Sequence, residues 1–471
     1  MPSGPGVLRH GTRRTGRFGY RALLPVDVKA DEITATLADG VLTATVPRAG
    51  GQATADVPAL SARFWVLVVA TGVLAGLAGA ALMVVLHTAA HLTYSYRSGS
   101  FLTAVEQAGA SRRVMALAAA GAVAGVGWWL LRWWTGAGGS EVSTALWRDE
   151  GHLPLRRSLG TAVLSVVIVG MGASLGREGA PRLAGAALAS RLSDWARLNT
   201  AHRRLLAACG AGAGMACVYN VPLGGALLTL EVMLGVLSLR LALPALAACC
   251  IATAVSWTVL PTGPTYQVPE VGLSASLTVF AVLIGPFAGL LAVGWVRMIR
   301  IAHEHRPTGR GLLIAPLVVF TAVGALAVPY PQLLGNGKDI VQLTFTAQVA
   351  APLLVALLFL KPIATTGSLG SGASGGLFTP TIATGALLGS LTGQGWTHAW
   401  PAPAAGFAVI GAAAVLAAAM QAPIAAVVLM LELTRTIDAL MVPLLFAVAG
   451  AMLVSRRLDT PSIYSVRLPA Q

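Results

Sequence analysis

Apolar residues fall in long unbroken blocks along most of this chain. Phe64 to Leu92 is one block and Val114 to Trp134 is another. Others follow at 158–175, 182–192, 204–218, 222–239 and Leu241 to Leu260. A polar break from Pro261 to Pro269 separates these from a second series at 271–302, 311–330, 350–369, 380–394, 405–420, 422–433 and 439–454. A helix needs about 20 apolar residues to span a bilayer. The longest blocks reach that length with tilt to spare, and several others are too short to cross alone. Short segments interrupted by Gly and Pro predict broken helices that line a site at membrane depth. The continuous Ala/Leu/Val/Gly runs argue against a barrel, whose strands would alternate over about 10 residues.

The first 56 residues have a different pattern. Met1 to Arg17 is basic and Gly-rich, without the apolar core of a signal peptide. Within Tyr20–Pro47, Ile33, Ala35 and Leu37 share one parity. Asp39-Gly40 supplies turn residues, and Val41, Thr43 and Thr45 follow. This spacing predicts strand, turn, strand.

Composition sharpens the membrane reading. Of 471 residues, 56% are hydrophobic and 11% are charged, too little charge to cover a soluble chain of this length. The expected class is an all-α polytopic membrane protein with the lipid bilayer as its surroundings. The net charge of +14 would suggest nucleic acid in a soluble protein. Here the basic residues sit in short loops and in the N-terminal tail, as the positive-inside bias produces, and no nucleic-acid partner is expected. The same charge can concentrate anions at a pore mouth. Cys209, Cys217, Cys249 and Cys250 lie in apolar runs without metal-ligand spacing and behave as small hydrophobes. His87 and His91, four apart with no acid or cysteine nearby in sequence, read as interfacial rather than as metal ligands. Lys361, before Pro362, reads as a residue snorkelling at a helix start, and Gly335–Asp339 reads as a loop. No HExxH pair, GxSxG elbow or P-loop occurs, so an enzyme is not expected.

The chemistry concentrates in Gly176-Arg-Glu-Gly-Ala-Pro181, between two apolar runs. A charge near the bilayer centre costs about 2.5–3.5 kcal/mol on insertion scales, so such residues are rarely without function. Glycines free the backbone N–H groups, and a helix N-terminus that follows is a ready anion site. Glu178 and a permeant anion are therefore expected to compete for the same N–H groups. Ionised, the carboxylate is a tethered anion; protonated, it loses most of that attraction and leaves.

The chain also repeats itself. Gly210–Glu231 reads GAGAGMACVYNVPLGGALLTLE and Gly411–Glu432 reads GAAAVLAAAMQAPIAAVVLMLE. Pro222 and Glu231 match Pro423 and Glu432 at one spacing. GREGAP is likewise matched by GGLFTP, Gly375 to Pro380. Each half thus carries a Gly-rich turn ending in proline, then an Asn/Gln-x-Pro helix ending in glutamate. Such repeats mark transporter folds with a site between the halves.

These motifs, with Asn220-Val-Pro222, Leu431-Glu432-Leu-Thr434 and Pro461-Ser-Ile-Tyr464-Ser465, resemble in order those of the chloride channel and transporter (CLC) family over about residues 62–471. The resemblance implies a CLC-like inverted-repeat helical bundle, a homodimer with one anion pathway per subunit, and chloride, with protons in some members, as the transported ligand. No cofactor is implied. Backbone N–H groups of Arg177, Glu178 and Gly179 would form an outer anion site and those of Leu377 and Phe378 a central one. Tyr464 would donate a hydroxyl at the inner end, and Glu178 would be the gate. The chain departs from the family at Ala137, where a serine usually donates to the central anion. It departs again at Val232, where many proton-coupled members carry an inner glutamate. The resemblance implies a prokaryotic plasma-membrane protein, and no CBS-type domain pair is expected after Tyr464.

The expected organisation is a soluble extension over 1–56, a first transmembrane repeat over 57–265 and a second over 266–471. Leu24–Pro47 resembles part of a small heat-shock (α-crystallin) domain, too short to bury a core of its own. It reads as a fusion remnant or the product of an upstream start codon; the rival reading makes the chain a membrane-tethered, chaperone-like protein.

Overall fold

The alternating stretch near the N-terminus forms a hairpin. Strands β1 (Thr34–Ala38) and β2 (Val41–Thr45) pair antiparallel, with Ala38 opposite Val41; the turn expected at Asp39-Gly40 lies outside the described residues. The computed structural model describes residues 34–38, 41–45, 60–136, 141–346 and 349–467. The chain divides into two units, residues 1–59 and 60–471.

The second unit is helical. Its first series is α1 (Ala62–Tyr94), α2 (Phe101–Gln107), α3 (Ala110–Thr135), α4 (Val142–Trp147), α5 (Leu155–Gly170), α6 (Gly179–Trp195), α7 (Thr200–Tyr219), α8 (Pro222–Leu228) and α9 (Leu239–Ser256). Its second is α10 (Ala275–Glu304), α11 (Gly311–Leu326), α12 (Lys338–Phe345), α13 (Ala351–Gly370), α14 (Phe378–Trp396), α15 (Ala404–Met420), α16 (Pro423–Thr434) and α17 (Ile437–Arg457). Among the described residues, six helices are long and apolar enough to cross a membrane: α1, α3, α9, α10, α13 and α17. Trp133 and Trp134, at the end of α3, are 78% and 70% exposed, as residues of an interfacial belt would be.

One apolar run is broken, and two expectations need correction. The run 158–175 is not one helix. It stops at Gly170, and Gly172 takes φ 110°, which bends the chain into an irregular segment leading to Glu178. The loop expected over Gly335–Asp339 is shorter, because Gly337 at φ 94° starts α12 and Asp339 lies in its first turn. Lys361 does not snorkel. It is fully buried inside α13, and its ammonium donates to Ser174 Oγ (2.9 Å), the Leu333 carbonyl (3.0 Å) and the Gly335 carbonyl (2.8 Å). Three donors meet three acceptors, so the buried charge ties α13 to the segment before α12.

The two series pack in matching ways. In lipid, helices associate through close van der Waals contact rather than through hydrophobic burial, so small residues mark the seams. A Cβ on Gly185 of α6 or Gly210 of α7 would strike the other's carbonyl, and Gly385 of α14 and Gly411 of α15 stand in the same relation. Gly72 and Gly76 seat α1 on α9, as Gly285 and Gly289 seat α10 on α17. α7 and α15 end on left-handed residues, Asn220 (φ 57°) and Gln421 (φ 56°), and Pro222 and Pro423 then open α8 and α16 at the first helical position.

The glutamates that end the repeated motif cap each other's helix. Glu432, in α16, accepts from the N–H groups of Leu223 (3.1 Å) and Gly224 (2.6 Å) in the first turn of α8. Glu231, in the π-helical turn Thr229–Leu234 that follows α8, accepts from Ile424 (3.3 Å) and Ala425 (2.7 Å) in the first turn of α16. Each carboxylate satisfies two N–H groups that have no partner within their own helix. Glu231→Ala and Glu432→Ala should each lose about 1 kcal/mol or more, the scale of a lost helix cap. Lowered apparent Tm values of similar size in detergent are the expected readout. An unchanged Tm in both variants would contradict the paired caps.

Candidate functional site

The two Gly-rich turns build the site by the same local rule. Glu178 is the N-cap of α6 and Leu377 that of α14, and a proline, Pro181 or Pro380, occupies the third helical position in each. The first intrahelical bonds come from Arg182 N–H to the Glu178 carbonyl (3.2 Å) and from Thr381 N–H to the Leu377 carbonyl (3.0 Å). Proline therefore sits where no intrahelical donor is needed. The N–H groups of Gly179 and Ala180, and of Phe378 and Thr379, lie ahead of those bonds at the positive ends of their helices.

The turns are also stitched to each other. Gly176 and Gly376 form an isolated antiparallel bridge, exchanging N–H···O bonds of 2.7 and 2.8 Å. This bridge delivers Glu178 to the opposite turn. Its carboxylate is 0% exposed, and Oε1 accepts from the Phe378 N–H at 2.6 Å. Oε2 accepts from the Tyr219 hydroxyl at 3.3 Å, with the Thr379 hydroxyl at 3.5 Å. Tyr219 and Thr379 hydroxyls lie 2.6 Å apart. With the tyrosine proton directed at the carboxylate, the threonine proton completes the chain Thr379, Tyr219, Glu178. A Cβ on either Gly176 or Gly376 would overlap the carboxylate, so glycine is needed on both sides of the bridge.

The turn separates two cavities. On one side Arg177 lines a space of about 260 Å³ with His87, His91, Lys338 and Asp339, and its guanidinium carbon lies 4.9 Å from the Tyr219 ring centroid. On the other side Gly179, Leu377 and Tyr464 line a narrower space of about 50 Å³, large enough to admit a water-sized particle. The Arg467–Glu141 ion pair also lines this second cavity, on the side that the resemblance assigns to the inner end. Glu178, Gly179, Leu377, Phe378 and Tyr464 are thus brought together around the bridge. The Arg177 side chain faces the opposite cavity. Ala137 lies outside the described residues. His87 and His91 share the outer cavity, and no group of three metal-ligating side chains occurs among the described residues. Val232 is buried, and the carboxylate of neighbouring Glu231 is committed to α16.

Tyr219, Thr379 and Arg182 were not singled out from sequence. Tyr219 and Thr379 each stand beside a noticed motif residue, Asn220 or Phe378. Nothing in their spacing says that their hydroxyls meet across 160 residues. The one available signal was polarity: a hydroxyl or guanidinium within an apolar run needs a partner.

The arrangement can hold one negative charge in a dry cradle of N–H and O–H donors, and it can exchange a side-chain carboxylate for a free anion of similar size. Comparison with known proteins gives the family and the fold. A family model described as "Voltage gated chloride channel" matches residues 120–456, and one described as "Hsp20/alpha crystallin family" matches residues 7–58. A ClcB-like chloride channel protein of Ralstonia nicotianae is 31% identical over 348 residues, covering 71% of this chain and 80% of the relative. The voltage-gated ClC-type chloride channel ClcB of Escherichia coli is 30% identical over 386 residues, covering 78% and 89%. Among solved structures, a slow cyanobacterial Cl⁻/H⁺ antiporter superposes with TM-score 0.75 at 22% identity, over 87% of this chain and 97% of that one. A CLC-type fluoride/proton antiporter superposes with TM-score 0.70 at 23% identity, over 87% and 98%.

The crowding at the bridge makes a testable prediction. Gly376→Ala should destabilise by about 1–3 kcal/mol, the usual scale of overpacking, because its methyl group competes with the Glu178 carboxylate. Adding Glu178→Ala should restore much of the loss in a double-mutant cycle of Tm values. Independent, additive losses would show that the carboxylate does not rest there.

Proposed function

Because the chain belongs to the voltage-gated chloride channel family, we propose that it carries chloride, or a similar small anion, across the cell membrane with Glu178 as the gate. The observation that carries the reading is the Glu178 carboxylate bonded to the Phe378 N–H at the N-terminus of α14. It occupies a place where an anion is favoured by amide dipoles, and it does so reversibly, because protonation removes its charge. As pH falls the protonated fraction rises, the carboxyl group releases the N–H donors, and an anion enters. Flux therefore increases towards low pH. Residues 57–265 and 266–471 act as the two repeats, each presenting one Gly-rich turn to the shared site, and the working unit is a homodimer.

Whether the proton also crosses divides two versions of this function. Passive, pH-gated conduction is favoured by the inner position: Val232 cannot carry a proton, and Glu231 is held by α16. Proton-coupled antiport is favoured by the likeness to two solved antiporters. The chaperone-like alternative is weaker, since the match to the Hsp20 model is confined to residues 7–58. Deleting residues 1–56 should leave anion flux unchanged.

Glu178→Gln is the direct test in reconstituted liposomes. The neutral side chain should leave chloride flux at or above the native level and abolish its rise at low pH. An unchanged pH profile would remove Glu178 from the gate. The reversal potential of the native protein under crossed chloride and pH gradients separates the two versions. A value that follows chloride alone means conduction, and one displaced by the pH gradient means antiport.

A further inference from the structure

The inner cavity contains a cation that the gate does not explain. Arg182 lies one turn into α6 and is 5% exposed. Its guanidinium carbon stands 4.5 Å from the Tyr464 ring centroid, and Nη2 reaches only the Met233 sulfur, at 3.7 Å. Its Nε has no hydrogen-bond partner among the described residues. The same holds for the Tyr464 hydroxyl and for Ser165 Oγ, 4% and 3% exposed by residue, which line the same cavity. The other arginine of that cavity, Arg467, is paired with Glu141. Among the described residues no carboxylate lies within ion-pair distance of Arg182, and Glu178 acts on it only through longer-range charge.

A buried charge without a counter-charge costs several kcal/mol. A thioether and an aromatic face supply part of what a guanidinium needs, but neither supplies a negative charge. Arg182 Nε, the Tyr464 hydroxyl and Ser165 Oγ satisfy no full hydrogen-bond geometry, the guanidinium and the phenol lie against each other, and all three residues line one small space with Gly376 and Leu377. We propose that Arg182 is a coordinating residue for the transported anion: its guanidinium, with the Tyr464 and Ser165 hydroxyls, holds a small monovalent anion as an ion pair in the inner cavity. This rests on the reading that an anion passes along this route. It adds a fixed charge to a site otherwise made of dipoles. Arg182 keeps one negative charge favoured nearby at all times: the Glu178 carboxylate when the gate is closed, and a free anion when it has left.

Chloride titration of the purified full-length protein by calorimetry, with flux measured on the same preparations, tests this. Arg182→Gln should weaken chloride affinity about tenfold or more, as loss of one member of a buried, hydrogen-bonded charge pair does. Arg182→Lys should recover part of it; both should keep native elution, and Arg182→Gln, which removes an unpaired buried charge, should not lower Tm. A bromide soak of the unmutated protein, read by anomalous scattering, gives an answer that does not depend on the variants folding. A peak beside the guanidinium and the Tyr464 hydroxyl is expected. Native affinity in a folded Arg182→Gln, or bromide bound only at the Glu178 turn, would overturn the role of Arg182 while leaving anion transport standing. If the native protein neither binds chloride nor passes it, the transport reading itself fails first.

Discussion

Carboxylates held by helix N-termini across the two halves are the constraint from which the rest of this structure follows. There are three such links among the described residues, and all cross between the two series of helices. Glu178 of the first reaches Phe378 of the second, Glu231 reaches the start of α16, and Glu432 reaches the start of α8. At membrane depth neither an ionised carboxylate nor a bare row of N–H groups can be left unsatisfied. Each solves the other's problem. Glu231 and Glu432 are partly exposed and take two amide donors each, so those links serve as fastenings. Glu178 is fully enclosed, and beside the amide N–H groups of Phe378 and of its own residue it takes hydroxyl donors, which complete its shell. Hydroxyl donors can turn to another acceptor, and that difference suits this link to the exchange proposed for it.

Close packing at small residues is what allows those links to form. The α6–α7 and α14–α15 seams are built on glycine against carbonyl, which brings the helix axes together and lets two short turns meet at the Gly176–Gly376 bridge. Broken helices then become useful. α8 and α16 are too short to span, yet their N-termini are placed where the opposite half has a glutamate. Lys361 plays the reverse part: a buried cation gathers loop carbonyls and so fixes the segment before α12.

The parts legible in the sequence were those written in local chemistry. A glycine before a helix and a proline inside its first turn announce an N-terminus. A repeat of Pro and Glu at one spacing announces a second copy of the same device. Fourteen apolar runs gave the long helices and most of the broken ones. The failures have physical causes. The run 158–175 looks continuous because hydropathy does not register a turn made by Met171 and Gly172 inside an apolar stretch. Helices α2, α4 and α12 are too short for periodicity to show. The length of the Lys361 side chain says it can snorkel; only three-dimensional neighbours say that it need not. Tyr219 and Thr379 belong to the site because of which helices cross there, and no spacing rule encodes a crossing.

The proposed cation in the inner cavity bears on the choice between conduction and antiport. A proton leaving Glu178 through this cavity would pass Arg182 and Tyr464; Val232 offers it no acceptor and Glu231 is engaged elsewhere. A fixed positive charge in a low-dielectric space raises the energy of a hydrated proton there and lowers that of a halide. In this proposal the guanidinium that holds the anion also separates the anion's route from a proton route through the same cavity. On this reasoning Arg182 and passive, pH-gated conduction belong together. Tight proton coupling would require an inward path that bypasses the cavity altogether.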